Sequence, residues 1–167
     1  MNLRLAEKND LPQLKTMYEK IIDNMNKNNI QIWDEIYPCE FFQDDIENKG
    51  LYILTEDNDI AAAFALCELN SGENHLQWKN VNEKAFYIDR FGVNVNYLRK
   101  GIGGFMLKKA MELAKQKDAK YLRLFVVDIN KPAINLYLKN GFKRIDGIYE
   151  ERFDDFVLRE YGFEIEI

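Results

Sequence analysis

The sequence predicts an α+β fold, and three observations carry that expectation. Apolar residues recur at helical spacing in separate stretches, strand-like runs lie before and between them, and the chain closes on two further strand-like runs. Residues 3–7 read as a short strand. Asn9-Asp10 then caps a helix beginning Leu11-Pro12, because proline in the first turn gives up an N–H that has no partner there. Its apolar stripe is Leu14, Met17, Ile21 and Met25. A second, short helix is expected over 40–48. Residues 51–55 and 60–69, joined through Asp57-Asn58-Asp59, read as a hairpin, and 71–83 as a polar loop. The order then continues with a central strand over 86–93, a long helix over 101–117 and a strand over 121–127. A helix over 130–140 follows, with final strands over 142–151 and 156–167.

Composition bounds the class of molecule. A chain of 167 residues, 47% hydrophobic, has room for one substantial core, so a single domain over 1–167 is expected. The formal net charge of −5 argues against nucleic acid as the main partner, since a phosphate backbone asks for a basic face. No run approaches the ~20 apolar residues of a membrane span. Met1-Asn2-Leu3-Arg4 leads into strand pattern rather than a signal peptide, so a cytoplasmic protein without a membrane partner is expected. Cys39 and Cys67 lack metal-ligand spacing and are read as reduced and structural. The one histidine, His75, sits in a polar stretch, and neither a metal site nor a histidine-dependent triad is expected.

The stretch Leu98-Arg99-Lys100-Gly101-Ile102-Gly103-Gly104 follows an apolar strand and opens an amphipathic helix. A helix N-terminus leaves N–H groups without partners and carries roughly half a positive charge, so an anion binds there once the main chain can approach it. Glycines at 101, 103 and 104 allow positive φ and that approach, and Arg99 and Lys100 add mobile charge. The other phosphate loops fit less well: no Gly-Lys-Ser/Thr occurs, and Met106 stands where a dinucleotide fingerprint needs Gly or Ala. Taken alone, the stretch reads equally as a ligand-free strand-to-helix turn.

A second motif runs from Asn130 to Phe142, and its grammar is a helix with both ends marked. Asn130 or Lys131 caps it, Pro132 suits its first turn, and Asn140-Gly141 supplies a left-handed stop. Ala133, Leu136, Tyr137 and Asn140 share one face, so Tyr137 alone is compatible with a purely core role.

Together the two blocks resemble the GNAT superfamily of acetyl-CoA-dependent N-acetyltransferases. Its pyrophosphate signature, Gln/Arg-x-x-Gly-x-Gly/Ala, is matched by Leu98-Arg99-Lys100-Gly101-Ile102-Gly103 except at Leu98. Its later signature, Asn-x-x-Ala-x-x-Leu-Tyr-x-x-x-Gly-Phe, is matched at every named position from Asn130 to Phe142. The resemblance implies a mixed central sheet splayed near its middle and flanked by helices. It implies acetyl-CoA as co-substrate, held by main chain at Leu98, Arg99, Lys100, Gly101, Ile102, Gly103 and Gly104. Phe91-Gly92-Val93 becomes the strand edge that pairs with pantetheine, with the Val93 N–H facing the thioester oxygen. Asn130, with Ala133 beside it, contacts pantetheine, and Tyr137 hydrogen-bonds the sulfur and protonates the leaving thiolate.

The incoming amine needs a base. An amine of pKa about 10.4 must lose a proton before it attacks, which costs on the order of 4.6 kcal/mol at pH 7. Asp89 is the candidate, because strand alternation puts it on one face with Tyr87, Phe91 and Val93; a surface or ion-paired aspartate beside Arg90 is the competing reading. In this fold the first helices and the following loop wall the acceptor pocket, so Trp33 and Tyr37, with Glu68 on the neighbouring strand, are candidate substrate contacts. Aromatics beside carboxylates suit a cationic amine and equally suit a packed, capped turn. The expected reaction is direct acetyl transfer in a ternary complex to the primary amine of a small molecule. Its rivals are a protein N-terminus or lysine as acceptor, and a non-catalytic acyl-CoA sensor. A homodimer is compatible with this reading, and no metal is called for.

Overall fold

The structure is a computed structural model that describes residues 1–167. Its elements in chain order are β1 (Asn2–Leu5), α1 (Leu11–Lys27), α2 (Phe42–Glu47), β2 (Leu51–Glu56), β3 (Asp59–Cys67) and β4 (Ala85–Val93). There follow α3 (Ile102–Gln116), β5 (Tyr121–Val127), α4 (Lys131–Lys139), β6 (Lys143–Arg144), β7 (Tyr149–Arg152) and β8 (Val157–Glu166). The chain forms two compact units, Met1–Leu66 with Arg90–Met106, and Cys67–Asp89 with Leu107–Ile167. No helix is long and apolar enough to cross a membrane.

In the first unit β1 pairs antiparallel with β2, from Asn2↔Thr55 to Leu5↔Tyr52. β2 pairs antiparallel with β3 through a two-residue turn, in which Asp57 and Asn58 both take positive φ, 47° and 69°. That mirror-image turn matches the right-handed twist of the flanking strands, and Asp and Asn tolerate it. The end of β4 lies next to β3; just beyond it, Asn94 N–H donates to the Ala61 carbonyl at 2.9 Å. The helix stripe read from the sequence buries Leu14, Met17 and Ile21 against this layer, with Met25 half-buried and Tyr18 added. Phe42 of α2 and Leu51, Ile53, Leu54, Ile60 and Phe64 complete the core.

In the second unit the strand order is β4, β5, β8, β6, with β7 also on β8. β4 and β5 are parallel from Ala85↔Tyr121 to Ile88↔Leu124, which makes the sheet mixed, as expected of an α+β chain. The ladder stops there, midway along β4, where the resemblance places its splay. β5 continues against antiparallel β8 to Val127↔Glu160. Two expectations are corrected here. The strand read over 142–151 is divided into β6 and β7, because Gly147 turns the chain at φ 103°. The polar loop over 71–83 carries Leu76 and Trp78 into the core against Tyr87 and Ile145. Trp78 is accommodated because its Nε1 donates to the Glu73 carbonyl at 2.8 Å.

One buried charge pair sits in this unit. Arg123 on β5 meets Glu164 on β8 at 3.3 Å, with their side chains only 5% and 7% exposed. Asn80 O accepts from Arg123 at 2.8 Å, and Glu164 accepts from the Lys79 N–H at 3.0 Å. Burial of two ions is tolerated only when their remaining donors and acceptors are met, which these contacts do. Glu164→Ala leaves the guanidinium without its carboxylate, so a loss of about 3–5 kcal/mol in denaturant unfolding is expected. Glu164→Gln, which keeps the hydrogen-bond acceptor, should lose measurably less.

Candidate active site

In the first unit the candidate residues follow from the conformation of β4. Arg90 takes φ 52°, a left-handed conformation inside a strand, so β4 bulges at that residue. Strict alternation through Asp89, Phe91 and Val93 therefore does not hold, and the shared face expected of them is corrected. Three contacts hold the bulge. The Arg90 guanidinium forms a two-pronged ion pair with Asp45, 2.7 Å at each prong, and stacks 5.3 Å from the Phe41 ring centre. The Tyr18 hydroxyl donates to the Arg90 carbonyl. Gly92 is glycine because a Cβ there would stand 2.9 Å from the Tyr18 ring, a close approach rather than a positive φ.

The glycine turn takes a conformation different from expectation. Arg99 and Gly101 take positive φ, 62° and 79°, whereas Gly103 and Gly104 lie in α3 without it. A Cβ on Gly101 would meet nothing within 4 Å, so its face is open. Gly101 O accepts from the Phe105 N–H at 3.1 Å, which starts α3 with its first amides pointing out of the helix end. Alternating left-handed residues followed by a helix N-terminus aim several N–H groups at one point, which is what a pyrophosphate needs. Leu98, Arg99 and Lys100 are exposed beside it. Ile102 is buried and anchors the turn.

The aromatic pair expected to wall the acceptor also lies in this unit. Trp33 packs on Tyr18 with ring centres 5.7 Å apart, and Tyr37 on Phe41 at 5.6 Å. Asp34 caps the turn between them, accepting from the N–H groups of Ile36 and Tyr37 at 2.8 Å each. Trp33 and Tyr37 thus reach β4 through the two rings that touch Arg90. A cleft of about 250 Å³ opens beside this loop, lined by Lys15, Glu19, Asp34, Glu35, Cys39 and Glu40 among others.

In the second unit, Asp89 accepts from the Asn70 amide at 3.1 and 3.4 Å, and Asn70 in turn takes the Gly72 N–H at 2.8 Å. Tyr137 is 6% exposed, packed on Phe142 and Phe163. Burial first, then the negative charge of Asp89, hold its phenol well above its ordinary range, so it stays protonated across neutral pH. Asn130 caps α4 as read, its side chain accepting from the Ala133 N–H at 3.3 Å, and Gly141 closes the helix at φ 89°. Glu68 lies exposed just past β3.

Glu160 is the residue that the sequence reading missed. It stands opposite Val127 on β5 and Tyr149 on β7, inside a strand read as plain β structure. Burial, then the charges of Glu151 and Asp89, push its carboxyl from 4.5 up to about 7. Alternation gave no signal, because Leu158, Glu160, Gly162 and Glu164 share the polar face of the strand, opposite Val157, Tyr161, Phe163 and Ile165. The charge of Asp89 thus contributes to raising both Tyr137 and Glu160, after burial in each case.

The raised Glu160 carboxyl makes stability depend on pH with a defined sign. Below about 4.5 it is protonated whether the chain is folded or not, so it costs nothing. Its penalty grows as pH rises through about 7 and is complete above that, on the order of 3 kcal/mol. Glu160→Gln should raise the melting temperature at pH 8 and leave it unchanged at pH 4. Equal shifts at the two values would show that ionisation is not the cause.

Comparison with known proteins agrees with this geometry. Residues 15–142 match the acetyltransferase (GNAT) family. A Bacillus subtilis protein assigned provisionally as a phosphinothricin acetyltransferase is 28% identical over 143 residues, 85% of this chain and 83% of its own. An N-alpha-acetyltransferase of Sulfurisphaera tokodaii is 29% identical over 126 residues, 74% of this chain and 75% of its own. The crystal structure of a GNAT-family acetyltransferase from Streptococcus agalactiae shares the fold, with a TM-score of 0.78 at 18% identity, over 99% of this chain and 96% of that one. With its mixed sheet, its glycine turn opening α3 and its asparagine-capped α4 in that order, the chain belongs to the acetyltransferase (GNAT) family.

Proposed function

We propose that this N-acetyltransferase moves the acetyl group of acetyl-CoA to the primary amine of a small molecule, by direct attack without a covalent enzyme intermediate. The observation that carries the reading is the set of groups around Asp89: a buried Tyr137 that keeps its proton and a Glu160 carboxyl that gives one up near pH 7. An ammonium acceptor has negative charge to approach there, and its proton has a destination. The cradle at Arg99 to Gly104 suits the pyrophosphate of the co-substrate, with Asn130 and Ala133 toward pantetheine.

The roles follow from charge development. As the amine nitrogen closes on the carbonyl carbon, negative charge grows on the carbonyl oxygen, and a fixed donor such as the Val93 N–H stabilises it. Asp89 takes the proton that the amine loses, with Glu160 sharing the charge of the pair. The carbon–sulfur bond breaks last, and Tyr137 supplies the thiolate with its proton. Trp33 and Tyr37 serve as acceptor contacts. Glu68 fits less well, since it is exposed. The archaeal relative's name favours a second acceptor, the α-amine of a peptide.

A panel of free amines and short peptides, assayed with acetyl-CoA for thiol release, tests the acceptor class. Small amines should turn over with the higher kcat/KM; preference for peptides would replace the first acceptor by the second. Gly103→Val should abolish CoA binding in a folded protein, because a β-branched side chain blocks the approach to the first amides of α3. Near-normal CoA affinity in that variant would contradict the cradle. Tyr137→Phe keeps the ring and removes the proton. Turnover should fall by about 10- to 1,000-fold while melting temperature and acetyl-CoA affinity hold. Wild-type kcat in this variant would remove Tyr137 from the reaction.

A further inference from the structure

A non-glycine residue at positive φ in the middle of a strand is uncommon, and something must hold it there. At Arg90 that conformation is held from both sides of the residue. Its side chain is locked by the two-pronged pair with Asp45 of α2, the two side chains 9% and 12% exposed, and by the Phe41 ring. Its carbonyl is fixed by the hydroxyl of Tyr18 of α1, a fully buried ring that packs edge-on against Phe42. The same Tyr18 ring occupies the space a side chain at 92 would need. One aromatic therefore sets both the bulge and the residue two positions later.

The consequence is geometric. Slipping a strand by one residue sends every later side chain and N–H to the opposite face. Where the bulge sits decides which way the amides of Phe91, Gly92 and Val93 project. We infer that Tyr18, Asp45 and Arg90 form a clamp whose role is to fix the β4 bulge, so that the Phe91–Val93 edge presents its main chain to the acyl thioester. They are positioning residues, and this inference rests on the acetyl-transfer reading above. Two features favour this role over simple adhesion. A buried ion pair is weak evidence of stability, since desolvation offsets its attraction. Here burial raises the Asp45 carboxyl in spite of Arg90, the expected mark of that offset. And glycine would take the same φ with no clamp at all, so the arginine is there for what its side chain grips.

The test separates conformation from charge. Arg90→Ala and Arg90→Gly both remove the guanidinium and leave Asp45 in the same state, but only glycine takes φ near 52° freely. The expected result is a fall in kcat of about 10-fold or more for Arg90→Ala, with Arg90→Gly recovering most of it. CoA affinity should fall less than kcat in Arg90→Ala, because residues 99–104, which the proposal gives to the pyrophosphate, are untouched. Tyr18→Phe, which removes only the hydroxyl, should lower kcat several-fold with the same CoA affinity. Equal losses in the alanine and glycine variants, or wild-type kcat in Arg90→Ala, would overturn the inference. A crystal structure of Arg90→Ala gives a readout independent of activity: loss of the positive φ is expected, and a retained bulge with Val93 in place would also overturn it. If the wild-type protein binds no CoA and acetylates no amine, the functional reading fails, while that crystal structure still decides the clamp.

Discussion

The path of the chain from residue 90 to the start of α3 depends on how one strand is interrupted. β4 begins as an ordinary parallel partner of β5 and leaves that ladder after Ile88, four residues into its length. A strand that stops pairing must satisfy or expose its polar main chain, and exposed edges invite wrong partners. Here the next residues are pinned instead by side chains from α1 and α2: Tyr18 on the Arg90 carbonyl, Asp45 on its guanidinium. The strand's exit then fixes the start of the following turn, where Asn94 accepts from the Asn96 N–H and donates to the Ile60 carbonyl. From there the chain needs only the left-handed residues Arg99 and Gly101 to aim the first amides of α3. An ordered exit from the sheet is thus the physical condition for the main-chain cradle proposed above.

The second unit makes a different use of burial. β8 carries Glu160 and Glu164 on one face, with opposite treatment. Glu164 is given Arg123 and the Lys79 N–H as partners. The charges acting on Glu160 are both negative, and burial adds to them. A fold selected only for stability has little reason to leave a carboxyl in that position, since it becomes more costly as pH rises through neutrality. Catalytic acids and bases are where such costs are tolerated, because proton transfer works best when the group titrates near the working pH. Tyr137 is its counterpart: burial, with the negative charge of Asp89, withholds ionisation of the phenol.

Legibility in the sequence followed the range of the interactions. Local grammar was readable: the Asn130 cap, the Gly141 stop, the Asp57-Asn58 turn and the apolar stripe of α1 are each written within a few residues. The glycine turn was readable as a cradle but not in its particulars, because φ at Arg99 and at Gly103 depends on where the helix begins. What escaped needed partners far along the chain. Asp45 and Arg90, or Tyr18 and Arg90, meet across separations that no periodicity encodes. Trp78 reads as part of a polar loop until Phe125 and Ile145 are known to pack against its ring. Glu160 looks like solvent-facing alternation until β5 and β7 flank it.

This division explains why the one departure from the family's phosphate signature leaves the turn intact. Leu98 stands where the signature has glutamine or arginine, and it is 45% exposed. The cradle does not ask that side chain for its shape, which comes from the φ values at Arg99 and Gly101 and from the buried Ile102 that seats α3. Main-chain donors at a helix N-terminus are fixed by the fold and need no rotamer to be frozen when an anion arrives. A side-chain donor at 98 adds to such a site without creating it. By contrast, no main-chain group can replace the grip on Arg90, because a strand left to itself returns to extended φ. The positions that tolerate change are therefore those where the proposed binding is by main chain, and the demanding ones are those where side chains bend the main chain into place.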